Sequence, residues 1–321
     1  MKTSAFFKLF PPPKFLEMPY AGLDINDSSV HCLMYRHTRH GLEIDRFGKK
    51  DLPKGVVEAG IIRDEKSLAA VIRTLADELK VTYVKVSLPE ERMYLFKTEV
   101  PDGTAAEIHE NIALRLDENV PLSPEDAIFY FDLIRDSLPQ GRHTASVSVA
   151  PQKFVESYIS VLQSAGIVPV SFEVVAKSVA RAVVPGMDTG TKLVVNLMDG
   201  KVGFYIVDEG VVLFTSTVPW TVSGSLSELE IDQLRREMSK VYGYWDEHGE
   251  GSKVDEVVVC GSGAPAVTDM LARYREGSSI KVSSADVWSN AFSCNRYIPA
   301  IPRSESFEYA VVAGLALPSH I

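Results

Sequence analysis

Two eight-residue segments carry the residue types best suited to handling a phosphate. Leu23-Asp24-Ile25-Asn26-Asp27-Ser28-Ser29-Val30 and Val195-Asn196-Leu197-Met198-Asp199-Gly200-Lys201-Val202 align position by position, with Asp24 opposite Asn196 and Asp27 opposite Asp199. Each lies at a turn between alternating apolar and polar stretches, and successive backbone amides in such turns can cradle an anion. The shift between the segments is 172 residues, about half of the 321-residue chain, so the repeat reads as a duplicated α/β unit. Two such units would set their hairpins face to face across a cleft. A further glycine turn, Gly261-Ser262-Gly263, ends an apolar run. Alone it is weak, because such turns are common between strand and helix.

Other chemistry finds little support. The sequence holds no Gly-x-Ser-x-Gly elbow, no Walker loop and no His-Glu-x-x-His helix. Glu90-Glu91 and Asp246-Glu247 are acidic neighbours, but adjacent residues diverge on a strand or helix, so both read as solvated faces rather than acid/base pairs. His31, His37 and His40 lie close in sequence on a strand and turn that point them apart; they read as solvated polar residues, not metal ligands. No catalytic residue and no metal site is assigned from the residues themselves. Cys32, Cys260 and Cys294 are odd in number and widely spaced, which suits a reducing compartment.

The elements that would position the two hairpins follow from periodicity. Ala21 to Ile25, Val30 to Arg36 and Leu42 to Leu52 alternate as three strands, and Lys192 to Leu197, Val202 to Val207 and Val211 to Val218 repeat the pattern. Helical spacing marks Glu65 to Lys80, Thr104 to Asn119 with a Thr104/Glu107 capping box, and Pro151 to Ala165. It also marks Ser227 to Tyr244, Pro265 to Tyr274 and Ser304 to Leu315. Strands are expected at Val81 to Leu88, Arg92 to Val100, Ala127 to Ile134, Thr144 to Ala150, Val168 to Phe172 (leading into a helix through Arg181) and Val254 to Cys260.

Hydrophobic residues make up 45% of the chain and charged residues 24%, as in ordinary folded proteins. A formal net charge of −10 argues against nucleic acid and anionic lipid as main partners. No apolar run reaches the roughly 18 residues needed to cross a bilayer. The stretch Ser4 to Phe10, followed by Pro11-Pro12-Pro13, is too short for a secretory core and reads as a packed or disordered segment.

Paired hairpins on two α/β lobes resemble the actin-like nucleotide-binding superfamily. The middle of the chain narrows this: Glu107-Ile108 through Asn119-Val120-Pro121-Leu122-Ser123-Pro124-Glu125-Asp126, then Phe129-Tyr130-Phe131, resembles a helix–acidic–aromatic-strand signature of the PilM family. Val149-Ala150-Pro151, Ala165-Gly166-Ile167-Val168-Pro169-Val170 and Gln233 through Trp245 continue the resemblance over Tyr20 to Leu317. It implies an actin-like, ribonuclease H-like duplicated α/β fold with a small inserted α+β subdomain. The implied boundaries are an N-terminal segment 1–19, a first lobe 20–185 with an insertion at about 90–150, a second lobe 190–300, and a C-terminal helix 304–317 packed back on the first lobe.

The resemblance also implies ATP with Mg²⁺ in the cleft. Asp24 would position hydrated Mg²⁺ and the Ser28 and Ser29 amides would bind phosphate, with Asn26, Asp27, Asn196, Asp199 and Gly200 completing the two hairpins. Gly261, Ser262 and Gly263 would pass beside the base and ribose. Yet the superfamily's Asp-x-Gly becomes Asp24-Ile25-Asn26, and its second copy becomes Asn196-Leu197-Met198, where neutral Asn196 cannot act as a base. The segment before the helix at Leu226 is also short for the family's adenosine-covering subdomain. The expectation is therefore a pseudo-ATPase without a resident cofactor, with an active actin-like ATPase or kinase as the alternative. A third reading is the cytoplasmic domain of a type II secretion platform protein, which expects a membrane helix after the domain.

For partners, the resemblance implies a cytoplasmic adaptor at the inner face of the membrane. It would bind the N-terminal tail of a PilN-like inner-membrane protein, link it to a pilus motor ATPase and reach the membrane only through that partner, with self-association a further expectation. The tail would lie in a groove at the inserted subdomain, lined by Phe96, Ile108, Ile112, Phe129, Tyr130 and Phe131.

Overall fold

The sequence repeat reappears as two five-stranded sheets of one topology in the computed structural model, which describes residues 19–39, 41–138, 141–186, 188–221, 226–249, 252–273 and 280–318, with backbone alone for 135–138. Residues 1–18 of the N-terminal segment, His40 and Tyr274 lie outside the described residues. Strands β1 (Ala21–Ile25), β2 (Ser29–Thr38) and β3 (Gly41–Asp51) form an antiparallel meander. A short hairpin of β4 (Val57–Glu58) and β5 (Ile61–Ile62), too brief for any periodic signal, leads into α1 (Glu65–Leu79). Asp64 caps α1 by accepting the Ser67 amide at 3.0 Å, and its apolar stripe of Leu68, Ile72 and Leu75 is buried. Strand β6 (Tyr83–Leu88) then runs parallel to β1.

A separate three-stranded sheet comes next, from β7 (Tyr94–Pro101), α2 (Ala105–Ala113), α3 (Leu116–Asn119), β8 (Ala127–Leu138) and β9 (Arg142–Pro151), in the order β7-β9-β8. The capping box at Thr104 forms: the Thr104 hydroxyl accepts the Glu107 amide while the Glu107 carboxylate accepts the Thr104 amide. The single helix expected over Thr104 to Asn119 is in fact broken at Leu114-Arg115. Ile108, Ile112 and Leu116 are all buried, and an unbroken helix would carry Leu116 about 80° around from Ile108. Leu116 is buried beyond the break, and Leu114 within it is 81% exposed.

Helix α4 (Gln152–Ser164), β10 (Val168–Val174) and α5 (Val175–Val183) complete the first sheet in the order β10-β6-β1-β2-β3. The second sheet repeats it: a meander of β11 (Thr191–Met198), β12 (Lys201–Asp208) and β13 (Val211–Pro219), then α6 (Glu228–His248), β14 (Val254–Gly261), α7 (Ala264–Arg273) and β15 (Lys281–Ser284), ordered β13-β12-β11-β14-β15. In both, the first strand lies antiparallel to the second and parallel to the fourth. The expected last helix is two pieces, α8 (Arg303–Ser306) and α9 (Ala310–Ala316), joined by a 3₁₀ turn.

Helix α9 lies against β1 and α5 at backbone distance. A Cβ at Gly22 would collide with the Val312 carbonyl and the Leu315 side chain, and one at Gly314 would overlap the Ser178 carbonyl. Val312, Ala313 and Leu315 thereby enter one buried cluster with Leu33 of the first sheet, Val179 of α5 and Val195 of the second. Gly314→Ala should therefore destabilise the protein by about 1–3 kcal/mol, as overpacking in a filled core does. Urea unfolding measures this, and an unchanged midpoint would mean that α9 and α5 can part without cost.

Candidate functional site

The two hairpins meet across a cleft of about 720 Å³ between the first and second sheets. Asp24, Asn26, Asp27, Ser28, Ser29, Asn196, Asp199, Gly200, Gly261, Ser262 and Gly263 all border it. This follows from topology: β1/β2 and β11/β12 are corresponding hairpins of the two sheets, and the turn after β14 lies next to β11. The cleft gathers the anticipated residues, but their hydrogen bonding differs from a phosphate cradle.

In the first hairpin the Asn26 carboxamide oxygen accepts the backbone amides of Ser28 and Ser29 at 3.0 and 2.9 Å, and their hydroxyls at 3.1 and 3.2 Å. The amides expected to meet phosphate are thus already engaged, in an Asx-type turn that glycine could not make. Asp27 turns sideways, its carboxylate accepting the Ala59 and Gly60 amides of the β4–β5 turn at 3.0 and 3.1 Å. Asp24 is buried and accepts the Ser87 hydroxyl at 2.5 Å.

In the second hairpin the side chain opposite Asp24 is held inside the sheet. Asn196 is buried; its amide donates to the Tyr205 hydroxyl at 3.3 Å, and the Cys260 thiol lies 3.5 Å from its oxygen. Gly261 has φ +87°, and a Cβ there would collide with the Leu197 carbonyl, so this glycine serves strand packing. Gly263, with φ +76°, faces open space.

Two residues read from sequence as solvated are buried here, and both readings are corrected. Glu90, in the turn after β6, is 8% exposed, and its Oε1 has no hydrogen-bond partner. Burial pushes its carboxyl up to about 7; the Tyr205 hydroxyl and the Lys201 ammonium oppose that rise, while the neighbouring Glu91 charge adds to it. Its neighbour Glu91 pairs with Lys201 at 2.6 Å, and Lys201 also reaches Asp27 at 3.9 Å, tying the second hairpin to the first. His31 is 5% exposed, stands opposite Asp24 in the β1/β2 register and meets the Tyr309 ring edge-on at 5.5 Å. Both its ring nitrogens lack partners, and burial lowers its pKa against the opposing Asp24 charge. One sequence signal pointed to Glu90: Pro89 closes the alternating stretch Val84 to Leu88, so the next residues crown the carboxyl end of an internal strand, where α/β sheets place their ligands.

Six carboxylates (Asp24, Asp27, Asp51, Glu90, Asp199 and Glu308) line the cleft against two ammonium groups, Lys49 and Lys201. Lys49 is itself paired with Glu308 at 3.0 Å. Engaged turn amides and an acidic wall do not fit a polyphosphate with Mg²⁺. Among the described residues no group of three or more His, Cys, Asp and Glu side chains is arranged to hold a metal ion.

The residues expected in the partner groove divide by strand alternation. Ile108 and Ile112 are 3% and 1% exposed inside the small subdomain, where Phe96, Phe129 and Phe131 pack on the same cluster. Ile108 and Ile112 are corrected from groove wall to interior, while Phe96, Phe129 and Phe131 stay half-buried at its margin. Tyr130 points the other way, 57% exposed, with the Lys177 Nζ 3.9 Å from its ring centroid. Ile128 on β8, and Val168 and Val170 on β10, not expected in the groove, are 45%, 48% and 47% exposed, and both strands are edges of their sheets.

Glu90 supplies a prediction about pH. Its folded-state pKa is raised from 4.5 to about 7, so over that window the native state holds a proton the unfolded chain has released. Wild type should accordingly lose stability relative to Glu90→Gln as pH rises from 4.5 to 7, in paired denaturation curves. Parallel pH profiles would contradict the burial of this carboxyl.

The family model for type IV pilus assembly protein PilM matches residues 22–215. Among solved structures, a PilM–PilN type IV pilus biogenesis complex superposes with TM-score 0.73 at 17% identity, over 93% of this chain and 98% of that one. Ethanolamine utilization protein EutJ from Carboxydothermus hydrogenoformans superposes with TM-score 0.51 at 12% identity, over 95% of this chain and 91% of that one. No curated protein matches the sequence. At these identities the structural likenesses speak for the fold, which is actin-like: a duplicated five-stranded α/β unit with a third sheet inserted in its first half. The family match spans more than half of the chain, and the chain belongs to the PilM family of type IV pilus assembly proteins.

Proposed function

We propose that this protein is a cytoplasmic, non-hydrolysing adaptor of type IV pilus assembly that holds the N-terminal tail of a PilN-like membrane protein. The observation that carries the reading is Tyr130, an exposed aromatic residue seated over Lys177 where the edge strand β8 meets the helix that follows the edge strand β10. Edge strands present unpaired backbone donors and acceptors, so an extended peptide can add along one of them and place alternate apolar side chains on the exposed face. Ile128 and Tyr130, two residues apart on the exposed face of β8, provide that apolar surface. Asp132, paired with Lys177 at 2.8 Å, lies on the Tyr130 face of β8 and adds a polar boundary. The superposed complex is itself one of PilM with PilN, which supports the choice of partner.

In this reading residues 20–185 and 190–300 are two lobes, 90–150 is the inserted tail-binding subdomain, and 304–317 returns to the first lobe. The protein works from the inner face of the membrane, reached through the partner's tail; none of its described helices is long and apolar enough to cross a bilayer. Linkage of the tail to the pilus motor ATPase and self-association complete the proposal. The acidic cleft and the engaged Ser28 and Ser29 amides support the non-hydrolysing part.

The test is capture of a peptide bearing the tail of the cognate PilN-like protein. Tyr130→Asp should weaken capture more than tenfold while the far-ultraviolet circular dichroism and melting curve stay as in wild type. Unchanged capture would remove the groove. Phosphate release from Mg-ATP should stay at the buffer level, and turnover abolished by Asp24→Asn would overturn the non-hydrolysing half.

A further inference from the structure

We infer that the cleft between the two hairpins binds a small organic cation, whose ammonium or guanidinium group donates a hydrogen bond to Glu90. The cleft is of ordinary size for a small-molecule site, at about 720 Å³. Its charge is wrong for an anion, since six carboxylates line it and both lysines are already committed to carboxylate partners.

An acidic lining alone would be an ordinary solvated surface. Glu90 makes it more than that. This side chain is more than nine-tenths buried, borders the cleft, and leaves Oε1 without a donor. A buried acceptor in that state is costly, and the missing donor is what a protonated nitrogen supplies. The groups facing Glu90 are Tyr205 and Lys201 from β12 and Glu91 beside it. The Tyr205 hydroxyl receives the Asn196 amide and directs its own O–H at the Glu90 carboxyl, and Lys201 is held by Glu91; Oε1 is still left without a donor.

A second buried polar group points the same way. His31 lines the cleft with both ring nitrogens unpartnered, and burial favours its neutral form, which offers one donor and one acceptor without adding positive charge. Met198, Leu226 and Val311 give the walls carbon surface for an aliphatic skeleton. A bare metal ion is a poorer occupant, because no three ligating side chains converge among the described residues.

The inference concerns the cleft and is independent of the tail groove. It is tested on the full chain by calorimetric titration and thermal shift at pH 7.5 with agmatine, spermidine, choline and Mg-ATP. Agmatine and spermidine should bind and raise the melting temperature. Choline, which carries the charge but no N–H group, should do neither, and Mg-ATP should bind no better than choline. Glu90→Gln, with circular dichroism unchanged, should weaken agmatine by about tenfold, the order expected for one charge-assisted hydrogen bond. If that variant fails to fold, the wild-type ranking of agmatine over choline decides alone. Equal binding of choline, no binding of either N–H cation, or undiminished binding to a folded Glu90→Gln would overturn the inference. Mg-ATP binding without turnover would also overturn it while leaving the adaptor reading intact.

Discussion

The architecture depends on one close approach: the backbone of α9 lying directly on β1 and α5. Gly22 and Gly314 make it feasible, since a methyl group at either position would strike a main-chain carbonyl. Arg181 reinforces it by donating to the Gly314 carbonyl at 3.1 Å while its guanidinium pairs with Glu173, and the Tyr20 hydroxyl donates to the Leu317 carbonyl at 3.1 Å. The last helical residues are thereby sealed into a core that contains side chains of both sheets. Because that core is continuous, the two hairpins are held facing one another and the cleft between them is a property of the fold.

Within the cleft, the competition for backbone amides decides the chemistry. A turn amide can donate either to a ligand or to a neighbouring side chain, and Asn26 takes both Ser28 and Ser29. The same substitution that keeps the hairpin tight removes the groups an anion would need. Around it, Asp27, Glu91 and Lys201 form an ion-paired strap between the hairpins, while Glu90 sits behind with one oxygen unanswered. An actin-like frame thus surrounds a lining in which the Ser28 and Ser29 amides are engaged and carboxylates outnumber ammonium groups.

The small subdomain shows how one strand can serve packing and recognition together. Phe129 and Phe131 alternate with Tyr130, so two aromatic rings pack half-buried on the α2 side of the sheet while the third stands outside.

Sequence by itself determined the duplication, the two meanders, the long amphipathic helices and the eleven residues around the cleft, because these rest on local periodicity, turn chemistry and one repeat visible along the chain. Tertiary structure alone decided what those residues can do. Whether Glu90 is dry and whether Tyr130 carries a cation over its ring depends on neighbours as distant in sequence as Tyr205 and Lys177. Burial and hydrogen-bond competition are set by which elements come together in space, and no local pattern encodes that.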